Sequence, residues 1–394
     1  MNILFMFPSI NPIKGGIERV TSLLINYFKS CGHNAYCIGM REEYRDFEPE
    51  MYYLPDQQIE DSELNKKHLA HFVAEKEIDI VVCQTGGPGP CCDLLYSLPQ
   101  TVGKIVCLHL DILDSVRHIG AKKSLVFEKY HLSSLGNFLE FKPINRIVQR
   151  LYRIKRKQRF IDLCNYPDRV VLLSDTFKDD FYFMSGKSKN ENVISMHNPL
   201  PEDFYRYSIK KPCEKSKTLL YVGRLNTSQK KVDYLLQIWS KLYKKHPDWT
   251  LKIVGGGEEE MFLKEKARVL NLSNCSFEGF KDPIEYYRDA SILCMTSSYE
   301  GFGMVLIEAM CFGTIPIAFN SYSSVSDIID DNHTGFLVKA FDIDEYVSKI
   351  DYLICNESIR STLYDNCIMK SKQFAINRIG DKWLKLFKEI KESK

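Results

Sequence analysis

This 394-residue sequence predicts an α/β protein of two units, each a parallel sheet flanked by helices. Three observations carry that expectation. Short apolar runs alternate with helix-period stretches, the pattern of repeated strand-helix-strand units. Many of the runs end in glycine turns that open a helix: Gly15-Gly16, Gly223, Gly255-Gly256-Gly257, and Gly301 with Gly303. The pattern stops in a polar, lysine-rich stretch punctuated by Pro199, Pro201 and Pro212, then restarts at Thr218. The length suits two domains. The boundaries expected are residues 1–200, 201–375 and a terminal helix at 376–394.

In the first unit, residues 2–7 read as a buried strand and residues 35–38 begin the next. Between them Val20, Leu23, Leu24, Tyr27 and Phe28 recur at helical spacing, and Gly32 ends that helix. This is a Rossmann-like opening without the G-x-G-x-x-G fingerprint. Residues 41–77 are polar and weakly patterned. Residues 78–83 form a strand before the rigid loop Gly86-Gly87-Pro88-Gly89-Pro90, and residues 104–108 form another. His109 stands at that strand's C-terminal end, where sites of α/β domains gather, with Asp111 two residues on. Either a structural or a functional histidine fits there. Residues 170–173 and 193–196 complete the strands, with Ser174 and Asp175 expected to cap the helix between them. Gly186-Lys187-Ser188 resembles a Walker A ending, but Phe181 stands where its first glycine is required.

Residues 141–161 carry Lys142, Arg146, Arg150, Arg153, Lys155, Arg156, Lys157 and Arg159 with no intervening acid. Ile144, Ile147, Val148, Leu151 and Ile154 recur at helical spacing. This basic amphipathic helix is either a solvated element packed on its domain or a contact for anionic lipid.

In the second unit, the strand at 218–222 leads into Gly223-Arg224, and Lys230-Lys231 precede a helix bearing Leu235, Leu236 and Trp239. The strand at 251–254 precedes the triple glycine. Glu260 occupies the place of the fingerprint's third glycine, and three successive acids there suit a helix start better than a pyrophosphate. A further strand ends at Gly279-Phe280. The densest unit follows: an apolar run at 291–295, the turn Tyr299-Glu300-Gly301-Phe302-Gly303, a helix from Met304 to about Phe312 capped by Gly313, and a strand at 315–319. Gly301 and Gly303 allow close backbone approach, and the helix N-terminus suits a phosphate. Glu300 and Glu308 beside an anion site require a ligand that also offers hydroxyls. A nucleotide-sugar offers both.

The motif Glu300-Gly301-Phe302-Gly303-Met304-Val305-Leu306-Ile307-Glu308 resembles the paired-glutamate motif of retaining glycosyltransferases with the GT-B fold, family 4. The resemblance spans nearly the whole chain and is densest at 218–338. It implies two Rossmann-like domains facing across a cleft, with the terminal helix at 376–394 crossing back onto the first. It places Glu300 and His109 near the donor sugar and Glu308 on the ribose. Gly301, Phe302, Gly303, Met304 and Val305 would line the donor through their backbone, with Gly15, Gly16 and Gly223 beside it and Phe280 at the base. Arg224 and Lys230 would stabilise charge on the departing diphosphate in place of a divalent metal, so no metal or other cofactor is expected. The family's interval between these cations is one residue shorter, so Lys231 could share or take the role of Lys230. The implied partners are a nucleotide-sugar, a UDP-sugar foremost, and a lipid-linked or growing surface polysaccharide.

A net charge of +2 gives no argument for nucleic acid. Thirteen cysteines without C-x-x-C spacing suit a reducing cytoplasm. No apolar run matches a signal peptide or a membrane span. Two other readings stay open: a non-hydrolysing sugar-nucleotide epimerase of the same fold, which needs more acid-base residues than His109 and Asp111, and a binding protein without turnover. A nicotinamide-dependent oxidoreductase fails at both glycine clusters.

Overall fold

The structure is a computed structural model describing residues 1–9, 16–41, 51–119, 139, 141–207 and 211–394. The chain divides into two compact units. The first comprises residues 1–113, 147–202 and 374–394; the second comprises 114–146 and 203–373. Each is built on one parallel sheet with a Rossmann-like strand order.

The first sheet has seven strands, β1 Asn2–Ser9, β2 Asn34–Arg41, β3 Met51–Tyr53, β4 Ile80–Thr85, β5 Gly103–Leu108, β6 Arg169–Leu172 and β7 Val193–Ser195, in the order β3-β2-β1-β4-β5-β6-β7. Its central strands are buried on both faces, which is why they read as continuous apolar runs rather than alternating ones. The helix Gly16–Ser30 buries Val20, Leu24, Ile25 and Phe28, while Leu23 and Tyr27 are half-buried. The terminal helix Ile376–Glu392 belongs to this unit. It buries Ile379, Trp383, Leu386, Phe387 and Ile390, and the Phe387 ring meets Phe28 edge-on at 5.4 Å. Gly380 lies against Tyr27, and a Cβ there would meet that ring at 2.2 Å. The Tyr27 hydroxyl donates to Asp381 at 2.6 Å.

Several local expectations are corrected here. The stretch after residue 50 holds a strand of three residues and the helix Glu63–Glu75, capped by Ser62. Pro90 does not extend the rigid loop; it is the first residue of the helix Pro90–Tyr96, where its missing N–H costs nothing. Ser174 does not cap a helix. It accepts from Thr176 N in a turn that precedes the helix Phe177–Ser185.

The second sheet has six strands, β8 Ser216–Val222, β9 Thr250–Val254, β10 Cys275–Gly279, β11 Ala290–Met295, β12 Ile315–Asn320 and β13 Phe336–Lys339, in the order β10-β9-β8-β11-β12-β13. All its pairings are parallel. The order reverses between β8 and β11, so the crossovers leaving these two neighbours diverge and open a crevice at their C-terminal ends. The turns that leave them are the Arg224 turn and the Glu300 turn. Sequence separation is large, but topology makes them adjacent. Among the described residues no helix is long and apolar enough to cross a membrane.

Candidate active site

The two turns at the β8/β11 switch point are joined by hydrogen bonds. After β8 the chain turns through Gly223, whose φ of +155 favours glycine. The Tyr221 hydroxyl donates to Arg224 O at 2.8 Å and pins the turn. Asn226 Oδ1 then accepts from Gln229 N at 3.1 Å and Lys230 N at 2.8 Å, a side-chain turn that sets the direction of Lys230. Thr296 Oγ1 donates to Lys230 O at 2.8 Å, Ser298 N to Gln229 O at 2.7 Å, and Gln229 Nε2 to Tyr299 O at 3.1 Å. The outcome is an ion pair between Lys230 Nζ and Glu300 Oε1 at 2.5 Å, with both side chains mostly covered, at 18% and 11% exposure. Asn226, Gln229, Thr296 and Ser298 escaped the sequence reading. Asn226, three residues before Gln229, was the one local signal available for that turn.

Lys231 goes elsewhere. It stands at the start of the helix Val232–Ser240 with a left-handed φ of 47. Its ammonium lies 5.0 Å from the Tyr234 ring centroid and 5.2 Å from that of Phe341. Arg224 is exposed and makes no ion pair among the described residues. Burial pushes the Tyr221 hydroxyl well above its usual pKa; the Glu300 charge adds to that and the Arg224 charge opposes it. Both charged groups therefore lie within electrostatic reach of one hydroxyl.

The triple glycine is a packing device. A Cβ on Gly255 would fall 1.9 Å from Gly223 O, and one on Gly257 would fall 2.4 Å from Leu225 O. Only glycine lets the β9 turn lie against the β8 turn. Glu259 is not simply a partner of the helix dipole, as expected: its carboxylate accepts from Thr227 N at 3.0 Å and braces the same loop.

On the β11 side, Gly303 (φ +100) opens the helix Met304–Cys311 and, having no side chain, leaves the helix start without a side-chain cap among the described residues. Ser324 Oγ donates to Gly301 O at 3.3 Å. A Cβ on Gly303 would press the Tyr322 hydroxyl at 3.0 Å. One turn into the helix, Glu308 is 2% exposed, and the wholly buried Tyr287 donates its hydroxyl to Glu308 Oε2 at 2.9 Å. Phe302 is buried, and Met304 and Val305 are half-buried. Phe280, after the β10 turn, is 87% exposed. The second unit thus brings together Lys230, Glu300, Gly301, Gly303 and the N-terminus of Met304–Cys311, with Arg224 close by.

In the first unit, Gly16 begins its helix, and among the described residues nothing lies within 4 Å of where its Cβ would stand. Gly15 lies outside the described residues. His109 is buried at the end of β5 and its Nε2 bonds the Gln84 side chain. Its Nδ1 is buried without a hydrogen-bond partner among the described residues. Burial lowers its pKa to about 4, so the ring is neutral near pH 7. Asp111 accepts from Leu113 N at 3.0 Å in a local turn.

Two acidic groupings lie outside this constellation. Asp342-Ile343-Asp344 has the Asp-x-Asp form used to hold divalent metals, but Asp342 caps the helix Ile343–Cys355 and Asp344 pairs with Lys241 at 2.5 Å. His246, Asp351 and Cys355 converge within metal-ligand range. There His246 and Lys245 each contact Asp351 at 2.7 Å.

The two sheets, with charged turns and a glycine-opened helix at the switch point, describe the GT-B class. The Anabaena protein HepE, solved with UDP and glucose, has the same fold: TM-score 0.71 at 16% identity, covering 99% of this chain and 100% of that one. Residues 206–373 match the family described as glycosyl transferases group 1. An uncharacterized glycosyltransferase of Haemophilus influenzae is 30% identical over 381 residues, 94% of this chain and 95% of that one. A Campylobacter jejuni relative, GalNAc-alpha-(1->4)-GalNAc-alpha-(1->3)-diNAcBac-PP-undecaprenol alpha-1,4-N-acetyl-D-galactosaminyltransferase, is 30% identical over 181 residues, 46% of this chain and 50% of that one. The chain belongs to the group 1 glycosyl transferases and is a glycosyltransferase.

Proposed function

We propose that the protein is a retaining family 4 enzyme that moves a sugar from a nucleotide-sugar, a UDP-sugar foremost, to a lipid-linked or growing cell-surface glycan. The observation that carries the donor half is the Lys230–Glu300 pair beside the uncapped helix start at Met304. An ammonium and free N–H groups suit a diphosphate, and a carboxylate suits the hydroxyls of the attached sugar. On donor binding, Lys230 exchanges its carboxylate for a phosphate oxygen and Glu300 turns to the sugar. Glu308, held by Tyr287, accepts from the ribose. Gly223, Gly301, Phe302, Gly303 and Val305 supply backbone along the donor, and the turn at Phe280 receives the base. His109 and Gly15-Gly16 are the first unit's contribution to this reading. The HepE complex with UDP supports a uridine donor, and the undecaprenol-linked substrate named for the Campylobacter relative supports a lipid-linked acceptor.

In the chemical step an acceptor hydroxyl attacks the anomeric carbon on the face that the diphosphate leaves. The new C–O bond forms as the old one breaks, and the hydroxyl proton passes to the departing phosphate. Arg224 and Lys230 stabilise the charge that grows there, the role a metal would otherwise fill. A panel of UDP- and GDP-sugars screened by thermal shift identifies the donor. Nucleoside diphosphate release with acceptor then tests transfer, and NMR of the product's anomeric centre tests retention. Activity should persist in EDTA, and Arg224→Ala should lower kcat more than it raises donor KM. Inverted product overturns the stereochemistry. Activity lost in chelator and restored by Mg²⁺ or Mn²⁺ overturns the metal-free step. No release from any nucleotide-sugar overturns the whole reading.

A further inference from the structure

Among the described residues, the buried side chains of the helix Lys142–Asn165, those of Asn145, Phe160 and Leu163, lie along one side of it. Phe160 and Leu163 anchor its C-terminal half in the core. Ile147, Leu151 and Ile154, at i, i+4 and i+7, form a row on the other side and are 53%, 61% and 75% exposed. That row runs about 10 Å along the helix. Arg146, Arg150 and Lys157 lie along one edge of it and Lys155 along the other, by their helical spacing. None of these four, nor Lys142 or Arg156, makes an ion pair among the described residues. Arg159 pairs with Asp93 at 2.5 Å, and Arg153 lies over the Phe183 ring at 5.1 Å. Among the described residues, therefore, the apolar row is not a buried stripe and those six cations have no ion-pair partner.

We propose that this face docks on an anionic bilayer. Its chemistry selects that occupant over the others. A second copy of the chain would set the same cations against each other. A soluble polyanion would satisfy the cations but leave Ile147, Leu151 and Ile154 in water. Only a surface with anionic headgroups over hydrocarbon meets both, since apolar side chains enter the acyl boundary while cations stay among the headgroups. The inference stands apart from the catalytic reading. It gives a glycosyltransferase without a spanning helix among its described residues a means of working at a membrane surface.

The test uses the full chain and sedimentation with phosphatidylcholine vesicles, with and without phosphatidylglycerol. Binding is expected to the anionic vesicles at low salt and to weaken as salt rises. Replacing Arg150, Lys155 and Lys157 by Gln should weaken partitioning about tenfold or more. Replacing Ile147, Leu151 and Ile154 by Ser should also release the protein from vesicles while leaving its retention by soluble polyphosphate intact. Unchanged thermal melts of both variants show that the fold survives. Equal binding to neutral and anionic vesicles overturns the proposal. So does an apolar-row variant that binds vesicles like the wild type, which marks a polyanion site. A dimer abolished by either variant marks a self-association face and overturns it as well. Donor affinity, measured in parallel, reports separately on the catalytic reading.

Discussion

Tyr287→Phe is the sharpest probe of the donor site, because it deletes one oxygen from a wholly buried ring. That oxygen donates to Glu308 Oε2 at 2.9 Å. Without it a buried carboxylate loses a donor, at a cost of about 1–3 kcal/mol. Most of that burden falls on the free and donor-bound protein alike, so it should appear as lost stability, ~2–4 °C in Tm per kcal/mol for a unit of this size. The part that bears on function is orientation. If the carboxylate holds the ribose, a charge-assisted bond of about 1.5–3 kcal/mol makes wild type prefer UDP over 2′-deoxy-UDP by tenfold or more. A carboxylate freed from Tyr287 should lose several-fold of that preference, and Glu308→Gln should lose at least as much. Calorimetric titration of both nucleotides into the three proteins, read as a double-mutant cycle, isolates the effect. A lowered Tm with an unchanged ribose preference in both variants would refute the reasoning and leave Glu308 a buried structural acid.

Three further outcomes follow from the geometry. Lys230→Met should weaken nucleoside diphosphate binding at least tenfold, whereas Lys231→Met, which removes an ammonium from two rings, should change it less than twofold; the reverse order in calorimetry assigns the phosphate to Lys231. His109 is protonated more readily unfolded, at pKa about 6.5, than folded, at about 4, so stability is full above pH 6.5 and falls as pH drops towards 4. Urea unfolding at pH 7 and pH 5 should show a loss of about 2 kcal/mol that His109→Gln removes, and an equal loss in both proteins rules the histidine out. Gly255→Ala forces a Cβ onto Gly223 O, so it should lower stability by ~2 kcal/mol or more and weaken donor binding with it; wild-type melting contradicts the packing role.

The strand-turn-helix corners were legible because buried parallel strands are continuous apolar runs and glycine marks their turns. That made the Glu300 unit and the restart after Pro212 readable. The partners were not. Tyr287 is on the helix that enters β11 and Glu308, twenty-one residues on, is on the helix that leaves it, so they meet only once both crossovers pack beside that strand. The acids after the triple glycine spoke against a pyrophosphate loop, but spacing could not show that the glycines make room for another turn. For the basic helix, periodicity displayed an apolar row but not the side that meets the core. Phe160 and Leu163 decided that, and they turn the row outwards. The edge strand Met51–Tyr53 is too short to carry a period at all.

The helix Ile376–Glu392 has a consequence for how the chain acquires its structure during synthesis. Residues 1–113 and 147–202 leave the ribosome first, yet the surface around Phe28 and Tyr27 receives its cover from residues made after all of 203–373. The second unit has its whole sheet once residue 373 has emerged; the first cannot close its core until the following segment arrives. From residue 202 until residues 374–394 emerge, the earlier-made unit thus stays unfinished, with apolar surface open to chaperones or to aggregation. A nascent chain arrested near residue 370 should resist protease across 216–339 while remaining cleavable near Phe28. Release of the remaining residues should restore protection there.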